Sequence, residues 1–341
     1  MALTRLAQWK HGIALLLLAA CLDVQAAAPV SPQASIEALT RAHTATVGIQ
    51  VLTTPEAPSA ETLGRQRTGS GVVIGADGLI LTIGYLVLEA EQIQVVTHDN
   101  RTVPATAVGY DLATGFGLLR PLLPLRGIAP VPLGSGAQAQ AGESLMISVG
   151  GEDAEVTMAQ LVSRRPFSGY WEYHIESALF TSPPLRNHSG APLFNQRGEL
   201  LGIGSLYVSN ALGDQRQLPG NMFVPVDLLK PILAELQRTG STTRSRRPWL
   251  GLSSTEQGGR VEIVRVNRAS PAEAAGLQTG DIVLAVDGTT VTTLEAFYKK
   301  VWEHPNPDDE IRLTVLQGAE IRQVTLKAVD RMGTLRKPGG I

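Results

Sequence analysis

Residues 187–193 read NHSGAPL, and a strand-like run, FNQRGELLGIG, follows at 194–204. A serine placed before a glycine and a small residue at a tight turn is a common way to present a hydroxyl nucleophile, which makes Ser189 the first candidate for chemistry. A serine hydroxyl alone attacks carbonyl carbon poorly. It needs a general base, usually histidine, oriented by a third group. The histidines are His11, His43, His98, His174, His188 and His304. His11 lies in a leader-like segment, His98 in an expected hairpin turn, and His304 in a second domain. His188 adjoins the serine, but neighbouring side chains in extended or turn backbone diverge, which is poor geometry for proton transfer. His174, in WEYHIESALF, remains as a replacement base, set against its reading as a half-buried strand histidine. Ser189 likewise has a second reading, as a turn residue whose hydroxyl bonds nearby backbone. NHS also matches a glycosylation sequon.

No other chemistry is suggested. There is no HExxH, no Cys/His cluster and no EF-hand-like acidic loop, so no metal site and no cofactor are expected. GSG at 69–71 lacks the lysine and following helix of a phosphate loop and reads as a strand turn.

The elements around Ser189 follow from composition and period. With 35 Gly and 21 Pro in 341 residues, and only 5% aromatics, many turns between short strands are favoured over long helices. The length suits two domains plus a removable end. A formal net charge of −2 gives no sign of nucleic-acid binding, and the basic stretch RTGSTTRSRR (238–247) reads as a solvated linker. Residues 1–28 read as an export signal, with Arg5 and Lys10 before the apolar run GIALLLLAACL (12–22) and small-residue cleavage sites before Pro29. LAAC (18–21) also resembles a lipobox, which would leave Cys21 as a lipid-bearing first residue. Cys21 is the sole cysteine, so neither a disulfide nor thiolate chemistry is expected in the folded part. No later segment is apolar and long enough to be a transmembrane span.

From about 45 to 222, short apolar runs at 46–52, 69–75, 78–82, 92–97, 102–110, 116–121 and 144–150 alternate with turn residues and predict an antiparallel all-β domain. VPVDLLKPILAELQRTG (224–240) changes period; Leu228, Ile232, Leu233 and Leu236 lie three to four apart, predicting a helix capped by Gly240. A second unit spans about 248–329. It has a strand at 260–266, a short helix opening at Ser270-Pro271, a strand at 281–288, a helix at 293–304 and a hairpin at 311–327. Leu294, Phe297, Tyr298 and Val301 share one face of that helix.

Six segments, in order, resemble the HtrA/Deg family of exported trypsin-like serine proteases with C-terminal PDZ domains: TGSGVVIGADGLILT (68–82), AVGYDLATGFGLL (107–119), HSGAPLFNQRGELLGI (188–203), FVPVDLLKPILAELQRTG (223–240), WLGL (249–252) and SPAEAAGLQTGDIVLAVDG (270–288). The resemblance implies a mainly β architecture, a trypsin-like double β-barrel at 29–238, a linker at 239–247, one α+β PDZ domain at 248–329, and a tail at 330–341. It also implies a periplasmic or cell-envelope location. Family members commonly trimerise through aromatic residues near the mature N-terminus; residues 28–47 contain none, which weakens a trimer here.

The resemblance also exposes departures. The family's catalytic histidine falls on Tyr85 and its orienting aspartate on Gly115, so Ser189 is the retained triad member. The oxyanion-hole N–H groups fall on Asn187, where the family has glycine, and on Ser189. A phenol with an ordinary pKa of about 10 is protonated at neutral pH and is almost no base. WLGL matches the PDZ carboxylate-binding loop, in which the N–H groups of Leu250, Gly251 and Leu252 would hold a peptide's C-terminal carboxylate over an apolar floor. The expectation is a pseudoprotease that binds unfolded or C-terminal peptides of envelope proteins, or partners an active homologue, as regulator, adaptor or chaperone. The alternatives are an active serine endopeptidase using Ser189 with an unrecognised base, and a scaffold that binds no peptide.

Overall fold

A computed structural model of the chain describes residues 31–213 and 216–335. The expected leader, the cleavage sites and Cys21 lie outside the described residues. Helix α1 (Pro32–Thr44) opens the structure, with Ser31 accepting the Ala34 N–H and Pro32 in the first turn, where its missing N–H costs nothing. This helix was not expected from apolar spacing, and only the Ser-Pro start announces it.

The first sheet comprises β1 (Thr46–Thr53), β2 (Gln66–Val73), β3 (Ile80–Ile83), β4 (Ala90–Val96), β5 (Thr102–Tyr110) and β6 (Phe116–Pro121), with α2 (Ala60–Leu63) in the β1–β2 connection. It closes as a barrel in the order β1-β2-β3-β6-β5-β4. The second comprises β7 (Ser144–Val149), β8 (Glu155–Gly169), β9 (Tyr173–Ser182), β10 (Pro192–Phe194), β11 (Leu200–Val208) and β12 (Gly220–Pro225), and closes as a ring, β10-β11-β12-β9-β8-β7. Each predicted strand up to residue 150 has an observed counterpart, because a short apolar run bounded by turn residues is a local signal, and β3, β6 and β7 are buried along most of their length. The apolar core is continuous between the two sheets, joining Ile49, Ile80 and Phe116 of the first to Phe180, Phe194 and Ile203 of the second.

The predicted helix over 224–240 is shorter than its pattern. A 3-10 turn, Val226–Leu228, precedes α3 (Leu233–Thr239), whose C-cap Gly240 is left-handed at φ 75°. Pro231 interrupts the run, since it has no N–H to donate and crowds the preceding turn.

The second unit contains β13 (Pro248–Trp249), β14 (Leu252–Gln257), β15 (Arg260–Val266), α4 (Pro271–Ala274), β16 (Ile282–Val286), β17 (Thr289–Thr290), α5 (Leu294–Val301), β18 (Glu310–Gln317), β19 (Glu320–Lys327), β20 (Val329–Asp330) and α6 (Arg331–Thr334). Its main sheet runs β14-β15-β16-β18-β19, leaving β14 as an edge. Ser270 caps α4 by accepting the Glu273 N–H, and Leu294, Phe297, Tyr298 and Val301 of α5 are buried in its core. Residues 330–334, expected as tail, are folded: Asp330 pairs with Pro248 and caps α6.

The stretch 239–247 is solvated only in part: Thr239, Thr243, Arg244 and Arg246 are exposed. Thr242 and Ser245 are buried, and both hydroxyls donate to the Asp111 carboxylate, Ser245 at 2.6 Å. Asp111 also accepts the Thr114 N–H at 2.8 Å and its hydroxyl at 2.6 Å. A buried carboxylate needs such donors, and the polar composition that reads as solvation supplies them. Arg247 lies with its guanidinium 3.6 Å from the centre of the Trp302 ring. Replacing Asp111 with alanine should therefore lower stability by about 3 kcal/mol and free the segment, read as a lower urea midpoint and new tryptic cleavage at Arg244 and Arg246. An unchanged midpoint and cleavage pattern would deny the anchor.

Candidate functional site

Ser189 and Tyr85 arrive from different sheets. Tyr85 occupies a 3-10 turn, Gly84–Leu86, directly after β3, and Ser189 lies in the turn before β10. The Tyr85 turn is fixed from behind by the Arg67 guanidinium, which donates to the Tyr85 carbonyl at 2.8 Å and the Leu88 carbonyl at 2.9 Å. The serine turn is fixed by Ser70, whose N–H donates to the Ser189 carbonyl at 2.8 Å. Gly190, at φ 74°, has no room for a side chain, because a Cβ would stand 2.0 Å from the Ser70 carbonyl oxygen.

The phenolic oxygen of Tyr85 lies 2.7 Å from Ser189 Oγ and 3.0 Å from the Ser205 carbonyl oxygen. Burial pushes the Tyr85 pKa up to about 12, against a smaller opposing effect of the Ser189 hydrogen bond. The phenol is thus protonated at neutral pH, and what faces the serine hydroxyl is a donor shared with a carbonyl.

Gly115 closes a turn whose N–H donates to the Asp111 carbonyl at 2.7 Å, while its own carbonyl accepts the Gly84 N–H at 2.6 Å. Its φ is 81°, and a Cβ there would approach Tyr173 Oη at 3.3 Å. Tyr173 Oη in turn donates to the Thr114 carbonyl at 2.6 Å. The space a side chain would enter from position 115 is bounded by this phenol. Asp111, four residues earlier, is committed to the hydroxyls and N–H described above.

No histidine among the described residues hydrogen-bonds Ser189. His188 is half-buried, and its Nδ1 lies 3.2 Å from the Leu185 carbonyl; burial pushes its pKa down, against backbone hydrogen bonds that raise it. His174 is buried on β9, with Nδ1 2.9 Å from Ser168 Oγ and Nε2 3.5 Å from Glu176. It belongs to a cluster with Glu176 and Glu295, whose carboxylates also pair with Lys299 Nζ at 2.7 and 2.6 Å. His43 bonds Ser148, and His304 bonds Asp287. The N–H groups of Asn187 and Ser189 have no protein acceptor among the described residues.

Leu250, Gly251 and Leu252 converge their N–H groups on a single carboxylate, at 3.1, 2.8 and 2.9 Å, and that carboxylate is the side chain of Glu172. Gly251 has φ 83°, and a Cβ there would strike Ser270 at 2.2 Å, so only glycine forms this loop. Glu172, Tyr173 and Ser205 were not singled out from sequence, since each acts on a partner distant along the chain.

The burial of Tyr85 has a pH signature. A tyrosine in the unfolded chain ionises near pH 10, whereas the folded chain holds this proton until about pH 12. The stabilisation is therefore fully present below about pH 10 and is lost as pH rises towards the folded pKa. Tyrosinate absorbance titrations of wild type and Tyr85→Phe should differ by one group with a midpoint near 12. A difference midpoint near pH 7 or 8 would mean that phenolate is available as a base.

Residues 69–203 match the family described as trypsin-like peptidase domain, and residues 248–328 match that described as PDZ domain. The chain is 27% identical over 292 residues to a probable periplasmic serine endoprotease DegP-like of Halomonas elongata, covering 81% of this chain and 59% of that protein. It is 26% identical over 268 residues to the serine endoprotease DegS of Haemophilus influenzae, covering 75% of each. The chain thus spans under two thirds of the DegP-like relative's length. Among solved structures, the HtrA-type protease AlgW with decapeptide superposes with a TM-score of 0.55 at 22% identity, covering 91% of this chain and all of that one. A serine endoprotease from Yersinia pestis gives 0.53 at 24% identity, over 89% and 98%. Two closed sheets with a serine turn at their seam, and peptidase and PDZ matches in series, lead to one assignment: the chain carries a trypsin-like peptidase domain followed by a PDZ domain, and is similar to HtrA/Deg-type proteases.

Proposed function

We infer that this chain is an HtrA-like pseudoprotease of the cell envelope that binds peptides or unfolded proteins instead of cutting them. The observation that carries the reading is the phenol of Tyr85 at 2.7 Å from Ser189 Oγ, where a base would be required. Removing the base from a serine protease costs about 10⁶ in turnover. A protonated phenol in its place cannot accept the serine proton. The bare Gly115, with Tyr173 across the space beyond it, removes any orienting carboxylate from that position.

The binding half of the proposal draws on other support. AlgW structures with a decapeptide and a tripeptide show that similar chains hold peptides. The loop Leu250–Leu252 has carboxylate-binding geometry, and the Asn187 and Ser189 N–H groups leave donors at the serine turn. The relatives described as periplasmic support an envelope location. Roles as regulator, adaptor or chaperone all follow from a receptor for extended chain.

The test uses mature protein, unfolded casein and a fluorophosphonate probe beside a Ser189→Ala control. Wild type should show no serine-dependent cleavage or labelling. Serine-dependent turnover would establish the competing reading, an endopeptidase with another base. Tyr85→His should gain slow labelling, yet remain about 10⁴ below a complete triad because nothing orients the imidazole. Gly115→Asp should lower stability by about 1–2 kcal/mol, the cost of forcing a side chain into left-handed backbone, read as a lower urea midpoint.

A further inference from the structure

We propose that the PDZ groove of this chain is occupied by its own protease domain, with Glu172 standing in for the C-terminal carboxylate of a peptide ligand. The inference rests on the peptide-receptor reading for its biological meaning, but its structural content is independent of it.

Residues 170–172 form the tip of the β8–β9 hairpin, in which Gly169 pairs with Tyr173. The last residue of a three-residue hairpin loop is often left-handed, and glycine or asparagine usually fills that position. Here it is Glu172, at φ 58°. A glutamate held in that conformation is strained, and its side-chain contacts offset that strain elsewhere. The contact lies in the second domain. Its carboxylate is buried and receives the three N–H groups of Leu250, Gly251 and Leu252.

The backbone before it follows the groove as well. The Tyr170 carbonyl accepts the Ser254 N–H at 2.8 Å, on the edge strand β14. On the opposite wall, Tyr298 Oη of α5 donates to the Gly169 carbonyl at 2.8 Å, and Arg247 donates to the Glu172 carbonyl at 3.2 Å. An edge-strand contact followed by a carboxylate in a cradle of backbone N–H groups is the arrangement by which extended peptides are read from their C-terminal ends. An external C-terminus must therefore displace Glu172, and its apparent affinity falls by the fraction of molecules in which the groove is open.

The experiment compares full mature wild type with Glu172→Ala and Glu172→Gln. Fluorescein-labelled decapeptides ending in Val, Leu or Phe, each as free acid and as C-terminal amide, are titrated by anisotropy. Amide hydrogen exchange is followed at residues 169–173 and 250–254. The expected result is at least 10-fold tighter binding of a free-acid peptide by Glu172→Ala, a smaller gain for Glu172→Gln, no gain for the amides, and faster exchange confined to those two segments. If no variant binds any peptide but exchange still rises only there, self-occupation stands and the peptide-receptor reading falls. Equal peptide affinity with unchanged exchange, or a rise in exchange across the whole chain, would overturn the proposal.

Discussion

The hydrogen bond between Tyr85 and Ser189 sits at the seam of two closed sheets, and both turns that deliver it are fixed by groups with no chemistry of their own. Arg67 ties down the carbonyls around Tyr85, and the Ser70 N–H ties down the serine turn. The scaffold is therefore stiff where a reacting pair would need stiffness. What it positions is a phenol and an alcohol. Burial is normally the means of tuning a catalytic pKa towards neutrality; for a phenol it acts in the wrong direction, since desolvation disfavours the anion and pushes the value to about 12. The better this site excludes water, the smaller the fraction of phenolate available to act as a base at neutral pH.

Asp111 and Glu172 are buried carboxylates that serve as structural acceptors. Asp111 gathers the hydroxyls of Thr114, Thr242 and Ser245 and so anchors the segment that leads into the second domain. Glu172 gathers three backbone N–H groups of that domain. Each uses charge to satisfy donors that would otherwise be buried without partners. The two domains are thus held by polar contacts made one side chain at a time, supplemented by Arg247 over Trp302. Contacts of this kind open more readily than a large apolar interface does.

Much of this was legible along the chain, and the exceptions have a common cause. Short apolar runs between turn residues, the buried face of α5 and the Ser270 cap are local signals carried within a few residues. The resemblance supplied Tyr85 and Gly115 as substituted positions, and geometry adds that the phenol bonds the serine. The polarity of 239–247 could not reveal that Thr242 and Ser245 solvate a carboxylate more than 130 residues away in place of water. Pro231 was visible, but the apolar spacing across it suggested a longer helix than its missing N–H permits. Nothing local distinguishes Glu172 from any acidic residue at a hairpin tip.

Glu172 and Tyr173 are neighbours, yet they serve different domains. Tyr173, at the start of β9, is buried in the protease-fold core and donates to the Thr114 carbonyl beside Gly115. Glu172, one residue earlier in left-handed backbone, sends its carboxylate into the loop of the other domain. The reversal of φ between them is what allows consecutive side chains to reach such separate places. One hairpin tip therefore bounds the space behind position 115 and fills the carboxylate cradle of the PDZ domain. Hydrogen bonds at both ends, Tyr173 to Thr114 and the Gly251 N–H to Glu172, hold the strained backbone between them.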